Sequence, residues 1–202
     1  MNTHAMLAST RPDFAAIAAW IPQNASVLDL GCGDGSLLQY LKTERNVRGY
    51  GVEISDAGIV TCIQNGVNVI QNDLDSGLKD FESNSFDYVI LSQTLQATRH
   101  TEPLIQEILR VGREGIVSFP NFGYWKNRVD VLFGNMPISK ELPYQWYDTP
   151  NVHLCTFHDF EELCSKLNVQ ILERRVMTGT DEVHLLPNLL GSMAVYKFQR
   201  GV

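Results

Sequence analysis

Three glycines at alternate positions, Gly31, Gly33 and Gly35, follow directly on the apolar run Val27-Leu-Asp-Leu30, with Cys32 and Asp34 set between them. Glycines in such a turn permit positive φ and let the main chain approach a ligand closely. The neighbouring carboxylates narrow the chemistry. Asp29 and Asp34 flank the place where a pyrophosphate would lie, and like charges in a partly desolvated crevice oppose such an anion. Ser36 also stands where a dinucleotide fingerprint expects its third glycine. A cationic ligand suits the loop better, with a nucleotide site and a purely structural turn as the competing readings.

Two further acids close apolar segments downstream. Glu53 ends Tyr50-Gly-Val-Glu53, where a carboxylate can accept two hydrogen bonds from a ribose diol. A solvated acid at a strand end is the plainer alternative. Asp73, in Asn72-Asp-Leu74, is placed to accept from an exocyclic adenine amine while the Leu74 amide faces the ring. A ligand carrying an ammonium, a sulfonium, a ribose and an adenine meets all of these groups. The expected cofactor is therefore S-adenosylmethionine, or S-adenosylhomocysteine.

Other reactive side chains form weaker patterns. His153, Cys155, His158 and Asp159 match no zinc spacing, and Thr156 to Asp159 already reads as a helix cap, so no metal site is expected. His153 could serve as a general base near neutrality, and Tyr124 is a second weak catalytic candidate, although a plain hydrogen-bonded histidine is the commoner case. The four cysteines, Cys32, Cys62, Cys155 and Cys164, make no Cys-x-x-Cys pair and read as reduced thiols. A formal net charge of −7 argues against nucleic acid and anionic membrane as partners. With no apolar run near membrane-span length and no leader-like N-terminus, a cytoplasmic protein is expected.

The elements that must position these residues alternate along the chain. Apolar strand-like segments at 26–30, 47–53, 67–71, 86–91 and 115–119 alternate with helical ones at 36–41, 57–64 and 103–110, the pattern of a doubly wound α/β fold on a parallel sheet. Phe14, Ile17 and Trp20, after Pro12, predict an amphipathic lead-in helix covering a sheet edge, within an N-terminal segment 1–25. Eight aromatic side chains fall between 119 and 147, against three Trp, seven Tyr and nine Phe in the whole chain. With Gly134, Pro137 and Pro143 among them, residues 120–155 read as an aromatic-rich insertion over one end of the sheet rather than a separate domain. Tyr124, Trp125, Trp146 and Tyr147 there would make a lid, a substrate pocket, a partner face or simply packing. A capped helix to about 167 and strands at 169–176 and 192–198 complete one domain spanning 1–202.

These motifs resemble those of class I methyltransferases: the first at Val27–Gly35, the second at Glu53, the third at Asp73 and the fourth at Phe86-Asp-Tyr-Val-Ile-Leu-Ser-Gln93. More narrowly, Gln93-Thr-Leu-Gln-Ala, Arg110-Val-Gly-Arg-Glu-Gly-Ile-Val, Phe119-Pro-Asn-Phe-Gly and Trp146-Tyr-Asp-Thr-Pro-Asn are similar to the methionine-biosynthesis protein MetW family. The resemblance implies a Rossmann-like fold with seven strands in the order 3-2-1-4-5-7-6, the last one antiparallel. It also implies a cofactor site of Asp29, Gly31, Cys32, Gly33, Asp34, Gly35, Glu53, Ile54, Asp73, Leu74, Ser92 and Gln93, and a bacterial protein acting beside a homoserine O-acyltransferase. Leu91-Ser-Gln-Thr94 lacks the Asn-Pro-Pro-Tyr cradle of amino-methylating enzymes, and no Gly-x-Ser-x-Gly elbow is present, so any acyl transfer belongs to the partner. An accessory role is expected first, and methyl transfer to a small-molecule acceptor second.

Overall fold

Alternating side chains along each central strand go to opposite faces of the sheet, and here both faces are apolar. The computed structural model describes residues 11–201, so the first ten residues of the lead-in segment lie outside it. The chain runs α1 (Pro12–Trp20), β1 (Ser26–Leu30), α2 (Ser36–Arg45), β2 (Arg48–Glu53), α3 (Asp56–Gln64), β3 (Val69–Gln71), β4 (Phe86–Ser92), α4 (Thr101–Val111) and β5 (Gly112–Pro120). It continues through α5 (Trp125–Leu132), α6 (Phe157–Lys166), β6 (Val169–Thr178), β7 (Asp181–Glu182), α7 (Pro187–Leu190) and β8 (Met193–Arg200). Short 3-10 turns occupy Leu74–Ser76 and Leu95–Ala97.

The described residues form one sheet in the order β3-β2-β1-β4-β5-β8-β6-β7. β1 to β5 pair in parallel, while β8 runs antiparallel to both β5 and β6. The expected order and the reversed last strand are present, but there are eight strands rather than seven. The additional one is the two-residue β7, which folds back on the end of β6 after the positive-φ Gly179.

On one face, Leu28, Leu30, Val89, Leu91 and Val117 pack against Ile105 and Ile108 of α4 and Phe157 and Phe160 of α6. On the other, Val27, Ile90, Ile116 and Val195 pack against Phe14 and Ile17 of α1 and Leu37 and Leu41 of α2. The lead-in helix thus covers a face of the sheet, not an edge. Its sequence requires this, since Phe14, Ala16, Ile17, Ala18 and Trp20 are all buried and so broad an apolar surface needs a face to cover it.

α6 begins as its sequence predicts. Thr156 Oγ1 and Asp159 Oδ2 form a reciprocal capping box, the Asp159 carboxylate accepting from the Thr156 amide at 2.7 Å. The helix lays Phe160 on Tyr196 and Phe119, with ring centroids 4.8 and 5.0 Å apart, and the buried Tyr196 hydroxyl donates to Glu161 Oε1 at 2.9 Å. Phe160→Ala removes the centre of this cluster. Its expected cost is about 3–5 kcal/mol of unfolding free energy, measured by denaturant titration against Thr156→Ala, for which loss of the cap should cost about 1 kcal/mol.

Candidate functional site

At the carboxyl ends of β1, β4 and β5, the rows of side chains facing α1 change from apolar to polar. Val27 is followed two residues later by Asp29, Ile90 by Ser92 and Ile116 by Ser118; Asp29 pairs in register with Ile90, and Ser92 with Ser118. Two buried carboxylates result, and they are treated differently. Asp13 of α1, fully buried, receives Arg11 Nε at 3.1 Å and Nη2 at 3.0 Å, Ser92 Oγ at 2.7 Å and Ser118 Oγ at 3.2 Å. Arg11 Nη2 also donates to Ser92 Oγ at 2.9 Å.

Asp29 is 2% exposed and, among the described residues, receives no side-chain hydrogen bond. Its opposite charge is the guanidinium of Arg11, already bound to Asp13 and Ser92. Burial pushes the Asp29 carboxyl up to about 8, against the pull of Arg11 and with the help of Asp13, Glu53 and Asp34. It borders a cleft of about 220 Å³ whose wall also includes Arg11, Cys32, Asp34, Ser92 and Gln93. A buried carboxylate without a hydrogen-bond donor, facing a cavity, is matched by a cation that brings its own donors.

The glycine turn lies across the same cleft. Gly31, Gly33 and Gly35 all have positive φ, at 67°, 58° and 76°. A side chain at Gly31 would collide with Thr94, and one at Gly35 would press on Val67 and Cys62, whereas beside Gly33 the space is open. Gly33 is therefore the glycine beside which the cleft is open, and Gly35 is held by packing at the start of α2. Glu53 fastens the turn to β2: its Oε2 accepts from the Gly33 amide at 2.8 Å, and its Oε1 from the amides of Ile54 and Ser55 at 2.9 and 2.8 Å. Asp34 Oδ1 accepts from the amide and hydroxyl of Ser36, which seats the first turn of α2.

Of the residues read from sequence, Asp29, Gly31, Cys32, Gly33, Asp34, Ser92 and Gln93 meet in the cleft wall. Glu53 and Ile54 adjoin it through Gly33. Asp73 and Leu74 lie one strand end further on, beside β2 through the Asn72 amide and Glu53 carbonyl, with the Asp73 carboxylate accepting from the Asp75 amide. Gln93 holds a positive φ of 55°, unusual for a glutamine, while its amide bonds Ser118. The two catalytic candidates lie outside the cleft wall. His153 is exposed, 3.3 Å from the Arg99 carbonyl. Tyr124 is buried at the start of α5 and lines a different cavity of about 510 Å³ with Glu141 and Ser192. Cys32 offers no nucleophile, because burial and nearby acids push its thiol far up. Sequence reasoning missed Arg11, Asp13 and Ser118. Asp13 carried a signal, an acid directly before the apolar stretch Phe14-Ala-Ala-Ile-Ala-Ala-Trp20 on the same helix.

Among the described residues no helix is long and apolar enough to cross a membrane. A Rossmann-like class I methyltransferase fold is seen also in solved structures. An S-adenosylmethionine-dependent methyltransferase from Mesorhizobium loti superposes over 95% of this chain and 98% of its own with a TM-score of 0.69 at 16% identity. The [4+2]-cyclase SpnF does so over 96% and 82% with a TM-score of 0.68, also at 16% identity. A bifunctional methionine biosynthesis protein MetXA/MetW from Rhodopirellula baltica is 37% identical over 203 residues, covering 93% of this chain. The chain spans only 32% of that relative's length. The model of the methionine biosynthesis protein MetW family matches residues 11–198, and with that match over nearly its whole length, the chain belongs to the MetW family.

Proposed function

We propose that this protein binds S-adenosylmethionine in the Asp29 cleft and acts as an accessory, ligand-responsive partner of a homoserine O-acyltransferase in methionine biosynthesis. The observation that carries the reading is the pair of unlike groups at one mouth: the buried Asp29 carboxylate, which no donor among the described residues meets, and the partly exposed Arg11 guanidinium. A zwitterionic amino-acid end suits both, its ammonium toward Asp29 and its carboxylate toward Arg11. Glu53, Asp73 and Leu74, on the next strand ends, are assigned to the ribose and adenine. When bound, S-adenosylmethionine supplies the positive charge that Asp29 lacks a donor to meet.

The accessory role rests on the contrast between a well-formed binding cleft and the chemistry around it. Among the described residues no histidine lines it, its thiol is held protonated, and His153 and Tyr124 stand elsewhere. The MetXA portion of the Rhodopirellula relative supports the acyltransferase as partner. The cyclase among the structural neighbours is a reminder that this fold serves chemistry other than methyl transfer. Methylation of a small acceptor is the second reading, favoured by the cavity beside Tyr124.

Because Asp29 holds its proton up to about 8, a cation must displace that proton on binding. S-adenosylmethionine affinity should therefore rise with pH between 6 and 8, by up to about tenfold per unit, and level off above. Calorimetry in buffers of different ionisation enthalpy should show proton release, and Asp29→Asn should abolish the slope and weaken binding by tenfold or more. A pH-independent affinity would overturn the assignment of Asp29. The same raised pKa lowers stability as pH rises, since between about 4 and 8 the folded protein keeps a proton that the unfolded chain has released. Asp29→Asn should accordingly melt several degrees above the parent at pH 8–9 and near it at pH 5.

Glu53→Gln should loosen the turn and weaken S-adenosylmethionine binding by roughly ten- to a hundredfold, for the loss of charged hydrogen bonds worth about 1.5–3 kcal/mol. For the partnership, acyl transfer to homoserine is measured with purified acyltransferase, with and without this protein and with S-adenosylmethionine added. The expected result is a changed rate that responds again to the ligand. Identical rates and no co-elution on size exclusion would overturn it, and formation of S-adenosylhomocysteine with a metabolite acceptor would favour the second reading.

A further inference from the structure

Helix α5 presents its apolar side outward. Trp125, Val129, Leu132 and Phe133 are 42%, 40%, 81% and 77% exposed, and their spacing aligns them along one stripe. The one buried residue of the helix is polar: the Asn127 amide donates to the Asn121 carbonyl at 3.0 Å, while the exposed Arg128 donates through Nε to the Gly123 carbonyl at 2.6 Å. This reverses the ordinary amphipathic arrangement, in which the apolar stripe faces the core. The stripe continues past the helix, because Trp146 shares a surface cavity with Met136 and Ile138 just beyond it, and Tyr147 packs edge-on against Trp146 at 5.6 Å. These two aromatics are 71% and 70% exposed. Exposed Trp, Tyr and Phe gathered on one patch are the composition of interface hot spots.

We propose that this face, α5 with the Trp146–Tyr147 loop, is where the acyltransferase partner seats; the proposal rests on the partnership argued above. Two observations favour that occupant over a second copy of this chain. The segment carrying the patch is tied to the cofactor cleft: the Gln96 carbonyl accepts from the amides of Val152 and His153 at 2.8 and 3.0 Å, and Gln96 Nε2 donates to the carbonyl of the cleft residue Gln93 at 2.8 Å. Trp146 lines one surface cavity with Val152, so a partner seated here adjoins main chain that is hydrogen-bonded to the cleft wall, which a ligand-responsive accessory requires. Identical copies, moreover, each carry a net charge of −7 and repel one another. The partner's surface facing the patch should be apolar, with recesses for the two aromatic rings.

The test titrates purified homoserine O-acyltransferase with four proteins by calorimetry and size exclusion. These are the parent chain, Leu132→Asp with Phe133→Asp, Trp146→Ala with Tyr147→Ala, and a control, Val60→Asp with Ile63→Asp on α3, whose residues are 54% and 65% exposed. All should keep the parent's circular dichroism and S-adenosylmethionine affinity. The α5 variant should lose at least a hundredfold in acyltransferase affinity and the aromatic variant at least tenfold, with the control unchanged. If the parent binds and both patch variants bind equally well, the seat is wrong while the partnership stands. If the parent does not bind, the partnership itself fails and the seat with it. Self-association of the parent that the α5 variant dissolves, without acyltransferase binding, would assign the face to a second copy and overturn the proposal.

Discussion

Two buried carboxylates, Asp13 on helix α1 and Asp29 on the strand β1 beside it, set the character of this protein, and the contrast between them matters more than either alone. Asp13 is surrounded by a guanidinium and two hydroxyls, so its burial ties α1 to the ends of β4 and β5. Asp29, one strand over, receives no such set. Placing an acid in a low-dielectric site without donors is costly unless it stays protonated or meets a cation. The fold keeps that cost, and the neighbouring Arg11 reduces it only in part because its own hydrogen bonds are directed at Asp13. Binding sites commonly retain such uncompensated groups at the expense of stability.

The remaining parts of the site follow from holding that acid beside a turn. Three alternate positive-φ glycines carry the chain from β1 into α2, and Glu53 binds the turn from the adjacent strand through the Gly33 amide while the amides of Ile54 and Ser55 fix its other oxygen. Gly51 is part of the same construction, since any side chain there would run into the Cys32 sulfur. The turn is thus held from below by close packing and from the side by charge-assisted hydrogen bonds, which leaves the open space at Gly33 as the approach to the cleft.

The strands, both helical layers and the capping box were legible in the sequence because each depends on a local pattern: alternating apolar residues in strands, three- and four-residue spacing in helices, and a Thr–Asp pair at a helix start; the order of the strands, a matter of long-range pairing, came from the family resemblance instead. The glycine loop and Glu53 were legible because their spacing is itself the mechanism. Arg11 and Asp13 were not, since their role depends on α1 crossing over Ser92 and Ser118, residues some 80 and 105 positions away. β7 was missed because two paired residues leave no periodic trace, and α5 because its apolar residues face solvent, so its pattern had no core to match. The lead-in helix was expected at an edge, but its apolar width is that of a helix lying on a face.

The outward stripe of α5 also bears on how the isolated chain behaves in solution. A net charge of −7 acts between whole molecules over roughly a Debye length, about 10 Å at 0.1 M salt. The apolar attraction acts only at contact and is strengthened by salts excluded from protein surfaces. Dilute buffer therefore keeps separate copies apart, and added salt weakens the repulsion while leaving the stripe adhesive. Colloidal behaviour of the unpartnered protein is thereby governed by ionic strength, with a handful of side chains around Leu132 and Phe133 setting the direction of the response.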